Sequence, residues 1–313
     1  MACEDVRRKR VSKFLVRRVG MAALTLFIIA TITFFIMFLV PGGPFLSEKV
    51  SPAMEKIMME TYGFDKPLIE QYQTYISRLV KGDMGISFKR KGYTVQEIIS
   101  EKFPVSARVG GWAILLSIVM GVPLGVLSAY RRNQLTDRII MFICTLGIAL
   151  PSFVIATTLL YTFGMTLKIL PTVGLKTTQN YFMPVFALSL SPTCYITRLM
   201  RSSMLDVMGQ DYLKTARSKG LSEFKVLFKH ALRNSLMPVV TYLGPMVTAV
   251  LTGSFIVERI FSIPGLGGYF INSINGRDYP MIMGTTIFLA ALLIVANLVV
   301  DILYTIIDPR IKY

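Results

Sequence analysis

Six long apolar stretches without a charged side chain divide this 313-residue chain. They cover residues 19–40, 109–130, 139–167, 181–197, 234–257 and 279–300. A helix of about 20 residues crosses the hydrocarbon core of a bilayer, so five stretches are long enough and the fourth lies near the lower limit. We therefore predict an all-α integral membrane protein with six transmembrane helices, at residues 19–40, 109–130, 139–167, 181–200, 234–257 and 279–306.

The overall composition agrees with this interpretation. Hydrophobic residues make up 53% of the chain and charged residues 17%, and the mean hydropathy is +0.57. A soluble core of this size could not bury that much apolar surface, so lipid must surround much of it. The net charge of +16 would suggest nucleic acid in a soluble protein, but in a membrane protein the positions of the cations matter more than their sum. We expect no nucleic-acid partner.

The distribution of Lys and Arg orients the predicted helices. The two termini and the second and fourth loops, which lie on one side of the membrane, together hold 20 of these residues. The third and fifth loops, which are short and lie on the other side, hold four. The remaining ten lie in the long loop 41–108, whose length largely exempts it from the positive-inside rule. We therefore predict that the basic N-terminus 1–18 and the C-terminus 307–313 are cytoplasmic and that loops 41–108 and 258–278 are extracytoplasmic.

Two features of the chain bear on processing and redox state. The first apolar stretch is too long for a signal-peptide core, and Pro41-Gly42-Gly43-Pro44 offers no small-residue cleavage site, so an uncleaved first span is expected. Among the three cysteines, Cys3 lies in the predicted cytoplasmic tail, while Cys144 and Cys194 lie in spans. No structural disulfide is therefore expected.

The long first extracytoplasmic loop contains a helical pattern. Apolar residues recur at helical spacing between a start signal, Asp65-Lys66-Pro67, and an end signal, Gly82-Asp83. These residues are Leu68, Ile69, Tyr72, Tyr75, Ile76, Leu79 and Val80. We predict a helix that packs against the outer ends of the spans, in preference to one that contacts a substrate directly.

Few charged residues lie near the predicted spans. Asp301 is the acid that the pattern places within a span, near its cytoplasmic end, where a structural partner is favoured over proton relay. Arg198 and Arg201 share a helix face at the end of the fourth span, where we expect them to anchor the helix to lipid phosphates. None of these three residues suggests transport chemistry.

The cytoplasmic segment 201–233 is predicted to form two short helices. Asp211 is a candidate cap for the first helix, and Gly220 is expected to end it in the left-handed conformation. Ser222 and Glu223 are expected to open the second helix, which carries apolar residues between basic ones. Such a helix either lies on the membrane surface or fits a groove on a partner protein.

The residues around this glycine resemble a known motif. Ala216-Arg217-Ser218-Lys219-Gly220, with Leu232 twelve positions after the glycine, is similar to the coupling motif of ATP-binding-cassette (ABC) importer permeases. That motif begins with Glu-Ala-Ala and ends Ile-x-Leu-Pro, whereas this chain has Lys214-Thr215-Ala216 and ends at Arg233. These departures resemble the peptide-transporter branch of the family.

The resemblance to peptide permeases covers nearly the whole chain. It is similar to the first of the two membrane subunits of oligopeptide and dipeptide permeases, with oligopeptides favoured by the Pro-Gly-x-Pro-Phe start and a Ser-Phe-Lys run. The matching segments are 41–45, 65–67, 71–72, 82–85, 87–88, 151–153, 261–268, 277–280 and 301–313.

The resemblance implies a type I ABC importer permease fold in a bacterial cytoplasmic membrane. Its expected partners are a homologous second permease in a heterodimer, two cytoplasmic ATP-binding subunits, an extracytoplasmic peptide-binding protein and membrane lipid. The expected function is half of a translocation pathway, in which ATPase motion drives alternating access. The residues that would contact the ATPases are Asp211, Ala216, Gly220, Leu221, Phe224, Leu227 and His230.

No chemistry is expected in this chain itself. The phosphate-loop pattern G-x-x-x-x-G-K-[ST] is absent from the sequence, and a single histidine leaves no Cys/His/Asp cluster for a metal or a hydrolytic site. We therefore expect no cofactor, no metal and no enzymatic activity.

The loop 258–278 offers two interpretations that the sequence does not separate. Its Pro-Gly and Gly-Gly pairs predict a rigid turn followed by a flexible one. It either packs as a cap at the outer mouth of the pathway or, by resemblance to related importers, enters the cleft of the binding protein. The residues concerned are Ile263, Pro264, Gly265, Leu266 and Gly267.

Other functions are less consistent with the sequence. An ion-coupled secondary transporter would use acids inside the membrane and inverted repeats, and this sequence offers Asp301 and no obvious repeat. Relatives of the peptide permeases that import nickel complexes or glutathione are the alternative within the family. We expect the ligand of the partner binding protein to decide among these substrates.

Overall fold

The computed structural model of this chain describes residues 2–39, 56, 60, 63, 65–90 and 92–307. In this part of the chain the secondary structure is helical, apart from one isolated bridge between Ile86 and Thr94. We number the α-helices α1 Ala2–Leu39, α2 Leu68–Val80, α3 Val95–Tyr130, α4 Leu135–Ala149, α5 Ser152–Leu159, α6 Phe182–Met208, α7 Asp211–Ser218, α8 Glu223–Lys225, α9 Leu232–Ser235, α10 Met237–Ile260, α11 Leu266–Gly276 and α12 Tyr279–Ile307.

The helices form two compact units. The first unit contains the chain up to Phe103 together with Tyr269–Ile294, and the second contains Pro104–Gly268 and the rest of α12. Helices α3, α11 and α12 each contribute residues to both units. Residues 41–55 of the predicted first loop and the predicted tail from 308 onward lie outside the described residues, as does the side chain of Asp301.

The predicted helix in the first outer loop is confirmed as α2. It begins after Pro67, whose fixed φ suits a helix start, and it ends before Gly82, which has a φ of 80°. The hydroxyl groups of Tyr72 and of Thr31 in α1 form a hydrogen bond at 2.8 Å. The ring of Tyr75 stacks on the ring of Phe34, also in α1. Helix α2 therefore packs on α1 through aromatic side chains, as the structural interpretation predicts.

The predicted second span is longer than the apolar pattern indicates. Helix α3 begins at Val95, so its first turns belong to the segment predicted as loop 41–108. Glu97 accepts from the backbone N–H of Thr94 at 2.8 Å, and Glu97 N–H donates to the Thr94 hydroxyl at 3.3 Å, a reciprocal cap that defines this start. The helix continues through Pro104 and Pro123 to Tyr130.

The predicted third span, 139–167, is not one straight helix. Helix α4 ends at Ala149, α5 starts at Ser152 and continues as a π-helix from Leu160 to Thr166, and the two parts are bent by 100°. Leu150, the residue before Pro151, is extended with a ψ of 123°, because the proline ring excludes the helical conformation there. This segment is either a broken span or a re-entrant loop.

Helix α6 corresponds to the predicted fourth span and extends well beyond it. It runs from Phe182 to Met208, past Arg198 and Arg201. Among the described residues, four helices are long and apolar enough to cross a membrane, or five if α4 and α5 count as one span. Helix α6 is outside that set although it is the central packing element of the second unit, with Ile196, Met200 and Met204 fully buried. The six-span topology stays a prediction.

The loop between the last two apolar segments contains a helix. Helix α10 ends at Ile260, α11 occupies Leu266–Gly276, and α12 begins at Tyr279. The predicted flexible turn at Gly267-Gly268 is therefore wrong, since both glycines lie in the first turn of α11. Short turns lie before α11, at Ser262, and after it, at Arg277, which has a φ of 54°.

A buried ion pair corrects the interpretation of Arg201 as a lipid anchor. Arg201 donates through Nε and Nη2 to both oxygens of Asp137 in α4, at 2.7 Å each. Asp137 is 3% exposed and also accepts from the Ser128 hydroxyl at 2.5 Å and from the backbone N–H of Asn133 at 2.9 Å. The pair thus connects α3, α4 and α6 within the second unit. A bidentate guanidinium and full hydrogen bonding make such a buried carboxylate tolerable.

Candidate functional site

The segment after α6, which the sequence predicts to be cytoplasmic, forms two helical pieces with a sharp turn between them. Helix α7 ends at Ser218, and the second piece runs without a break through α8, a π-helix from Val226 to Ala231, and α9. Gly220 lies in the turn with a φ of 76°. The predicted left-handed glycine is therefore confirmed, and open space surrounds the position where a Cβ would lie.

An ion pair holds the two pieces together across this turn. Arg217, near the end of α7, donates to both carboxylate oxygens of Glu223, in the first turn of α8, at 2.8 and 3.5 Å. The backbone N–H of Gly220 donates to Arg217 O at 2.9 Å. The pair is about half exposed, so it links the two pieces and contributes only modestly to stability.

The helix starts agree only partly with the predicted caps. The second piece begins at Glu223 with Ser222 in the N-cap position, as predicted. Helix α7 has Gln210 in its N-cap position, and Asp211 is the first helical residue. Asp211 therefore acts at the positive helix end and pairs with Lys214 at 2.8 Å, instead of capping the helix.

The buried side of this segment joins the core of the second unit. Two of the residues predicted to contact the ATPases, Ala216 and Leu227, belong to it and are 8% and 7% exposed. Leu213, Val226 and Ala231 lie in the same core cluster. These residues hold the segment on its unit, so they are not available to a partner.

The exposed side of the segment, opposite the core, carries two aromatic rings. Phe224 is 68% exposed and Phe228 is 48% exposed, and their rings stack with centroids 4.5 Å apart. Asp211 and Gly220 are also exposed, whereas Leu221 and His230 are half-buried. Sequence reasoning predicted Phe224 but missed Phe228, although the spacing of four residues places both on one helix face.

The loop 258–278, predicted to be extracytoplasmic, is largely buried in the described structure. Of the five residues predicted to contact a binding protein, Ile263, Gly265, Leu266 and Gly267 are buried, and Pro264 is exposed. Its neighbour Ser262 is exposed and has a φ of 50°. The geometry therefore favours the packing interpretation for most of the loop and leaves only its tip for a partner.

A buried carboxylate that sequence reasoning missed organises this loop. Glu258 is fully buried and accepts from the Ser254 hydroxyl and from the backbone N–H of Gly267, both at 2.9 Å. The N–H of Leu266 donates to the Ser106 hydroxyl at 2.9 Å. The position of Glu258 at the end of an apolar stretch was the signal available in the sequence, because a carboxylate there requires local hydrogen-bond donors.

The close packing at Gly267 leads to a testable prediction. A Cβ at Gly267 would overlap the backbone of Phe255, whereas a Cβ at its neighbour Gly268 would meet nothing within 4 Å. We expect Gly267→Ala to destabilise the protein by about 1 to 3 kcal/mol through overpacking. Thermal unfolding of detergent-purified protein would measure this, with Gly268→Ala as the matched control. Equal midpoints for the two variants would contradict the packing described here.

Family comparisons cover both parts of the chain. Residues 121–313 match the family described as binding-protein-dependent transport system inner membrane component. Residues 11–110 match the N-terminal family of the membrane component of the same systems. The two matches together contain most of α1, all of α2, the coupling segment and the loop 258–278.

Curated relatives resemble the chain over nearly its whole length. The dipeptide transport system permease protein DppB of Bacillus subtilis is 43% identical over 303 residues, which are 96% of this chain and 98% of that protein. The oligopeptide transport system permease protein OppB of Haemophilus influenzae is 41% identical over 304 residues, covering 96% and 99%. Both kinds of peptide permease are thus similar to this chain to nearly the same degree.

A solved structure resembles the fold. The methionine ABC transporter MetNI in an inward-facing conformation matches with a TM-score of 0.54 over 67% of this chain and 96% of that chain. The sequence identity is 16%, so this likeness concerns the fold alone. The matched part of this chain therefore has the fold of that ABC transporter chain.

Proposed function

Since the chain belongs to the binding-protein-dependent transport system inner membrane components and is a permease subunit of a peptide ABC importer, we propose that it forms half of the translocation pathway. A homologous second permease would form the other half. The chain is a multi-pass inner-membrane protein and not an enzyme, because ATP hydrolysis belongs to partner subunits in this family. ATP-binding and substrate-binding proteins are its general partners.

The exposed aromatic pair on the coupling segment carries the proposal for ATPase contact. Phe224 and Phe228 form a compact apolar knob beside the Gly220 turn, on a segment whose opposite side is anchored in the second unit. Aromatic side chains that project from a rigid base suit a groove on a partner. In this proposal two cytoplasmic ATPases bind the knobs of the two permeases, and Asp211, Leu221 and His230 lie around the contact.

Motion of the knob would reach the spans through buried contacts. Leu227 and Ala231 pack in the core cluster that also contains Met200 of α6 and Val239 of α10. A ligand shifts a conformational equilibrium only by its differential affinity for the two states, so the ATP-bound ATPases must bind the knob better in the outward-open arrangement. Ala216, Gly220 and Leu227 would then act as the rigid support of this contact.

A heterodimer with a second permease is supported by the apolar surfaces of each unit. In the first unit, Leu24, Ile32 and Ile36 of α1 are each more than 50% exposed. In the second unit, a groove of about 1150 Å³ is lined by apolar side chains that include Trp112, Phe163 and Phe186. Lipid and a homologous subunit together would cover such surfaces.

The experiment that tests the function is reconstitution of the complex. We expect the affinity-tagged chain to copurify with a second permease and two ATPase subunits, and peptide uptake into vesicles to require ATP and the binding protein. The length of the peptide that copurifies with the binding protein would show which peptide length the importer prefers. Uptake driven by an ion gradient through this chain alone would contradict the proposal.

The topology prediction can be checked by cysteine labelling. Lys81, Lys176 and Lys219 are exposed, so substitution of each by Cys leaves the packing intact. Because the cation asymmetry places the N-terminus in the cytoplasm, we expect Lys81→Cys and Lys176→Cys to react with an impermeant maleimide from outside. Lys219→Cys should react only after permeabilisation. The reverse pattern would overturn the assignment.

A further inference from the structure

The apolar groove of the second unit has polar groups at one end only. Its volume of about 1150 Å³ is larger than the ~300 to 1,000 Å³ of pockets that bind small molecules. Helix α3, the π-helix that follows α5, and helix α6 form its walls with apolar side chains. The polar side chains that line it are Lys176, Thr177, Thr178 and Tyr181, which lie just before α6. The groove therefore has a polar end and an apolar body.

The polar end offers hydrogen-bond donors that no carboxylate occupies. Within the described part of the chain, the Lys176 ammonium and the hydroxyls of Thr178 and Tyr181 form no hydrogen bond or ion pair, and no acid lines the groove. The segment that carries Lys176 is held in place, because the side-chain amide of Asn180 donates to Val173 O at 2.9 Å. An ammonium beside two hydroxyls suits a phosphate group.

The two helices that form the walls run in the same direction. A Cβ at Gly121 of α3 would meet Ile196 of α6, and a Cβ at Gly125, four residues later, would meet Met200. Each residue of this part of α3 is thus level with the residue of α6 that stands 75 positions later in the chain. The groove therefore descends along both helices from its polar end.

The apolar body is about as deep as one leaflet of a bilayer. On this register the lining residue Trp112 lies about 9 Å, and Val119 about 20 Å, along the helix axis from Tyr181. The hydrocarbon core of a bilayer is about 30 Å thick, so each leaflet contributes about 15 Å. A path for peptides would cross both leaflets and offer polar groups along its length, and this groove has neither property.

We propose that the groove binds an anionic phospholipid, with its phosphate at Lys176, Thr178 and Tyr181 and an acyl chain along α3 and α6. The groove matches this ligand in polarity and in length, since it joins a cationic end to an apolar body one leaflet deep. No lining carboxylate in the described structure would attract the cationic headgroup of a zwitterionic lipid. The proposal requires α3 and α6 to span the membrane and does not depend on which solute is transported.

Trp112 can report what occupies the groove. It is the single tryptophan of the chain and is 57% exposed on the groove wall. Complexes that contain the wild-type chain or Trp112→Phe would be reconstituted in phosphatidylcholine vesicles, and the difference in their emission isolates Trp112 from tryptophans of partner subunits. A small fraction of brominated phosphatidylglycerol or brominated phosphatidylcholine is then included, because bromine on an acyl chain quenches a tryptophan that it contacts.

We expect phosphatidylglycerol to quench Trp112 at about one fifth of the mole fraction that phosphatidylcholine requires, the preference that one lysine near an anionic lipid provides. Lys176→Gln should remove this preference. Lys168→Gln is the matched control and should keep it, because it removes an equal charge from an exposed position that does not line the groove. Val119→Phe should narrow the groove and weaken quenching by both lipids.

Three results would overturn the proposal. Equal quenching by the two lipids, or a preference that survives in Lys176→Gln, would exclude the phosphate site. Absence of quenching by either lipid would show that a protein subunit covers the groove. Quenching that disappears when a transported peptide is added would assign the groove to the substrate. Because lipid binding is measured separately from transport, a complex that binds lipid here without importing peptide would contradict the importer function and support the lipid site.

Discussion

Gly220→Val is expected to abolish peptide uptake while the protein still inserts and folds. The residue has a φ of 76°, a conformation that a β-branched side chain adopts at a cost of about 1 to 3 kcal/mol. Space around the site is open, so the strain arises in the backbone and cannot be relieved by moving a neighbour. The turn would relax by changing the angle between α7 and α8, which re-aims the Phe224–Phe228 knob.

Uptake and ATP hydrolysis measured together in vesicles would show this effect. We expect the Gly220 variant to hydrolyse ATP without peptide uptake or to lose its ATPases on purification. Gly209→Val is the matched control, because Gly209 has a φ of −78° and a Cβ there would make ordinary contacts. Wild-type coupling in the Gly220 variant would exclude the turn as a lever.

The sequence predicted elements whose signals are local. The helix α2 follows from Pro67 at its start, a run of apolar residues at helical spacing, and Gly82 at its end. The turn at Gly220 follows from the need for a positive φ between two helices. Both features depend on the conformations of a few neighbouring residues, so no knowledge of the rest of the fold was required.

The break in the third predicted span could not be predicted from proline alone. Pro123, Pro192 and Pro245 also lie in apolar stretches, and the helices α3, α6 and α10 continue through them. Pro151 ends a helix instead. Proline removes one backbone hydrogen bond wherever it occurs, and whether the chain bends depends on which neighbours replace that bond.

The sequence predicted where the candidate contact residues lie in the chain better than it predicted which of their side chains are exposed. Leu227 and Ile263 were expected to contact partners, and both are buried. In a membrane protein the side that faces lipid or a partner is as apolar as the core, so hydrophobic spacing does not distinguish them. The buried acid Asp137 was missed because its partner Arg201 lies 64 residues further along the chain.

Asp137→Ala is expected to cause the largest loss of folded protein. It would leave Arg201 without its bidentate partner inside the second unit, and the Ser128 hydroxyl and the Asn133 N–H without their acceptor. Removal of one member of a fully buried ion pair costs about 3 to 5 kcal/mol, and because the Arg201 side chain is 24% exposed we expect a loss at the lower end of that range. Yield and thermal unfolding of the purified complex would measure the loss.

The double variant Asp137→Ala with Arg201→Ala distinguishes an ion pair from two independent contacts. Since most of the cost comes from the charge left alone, the double variant should be more stable than the sum of the single losses predicts. Arg198→Ala provides the control, because Arg198 lies one helical turn earlier on α6 and is exposed, so its removal should cost little. Strictly additive losses for Asp137 and Arg201 would contradict the role of this pair in joining α3, α4 and α6 beside the coupling segment.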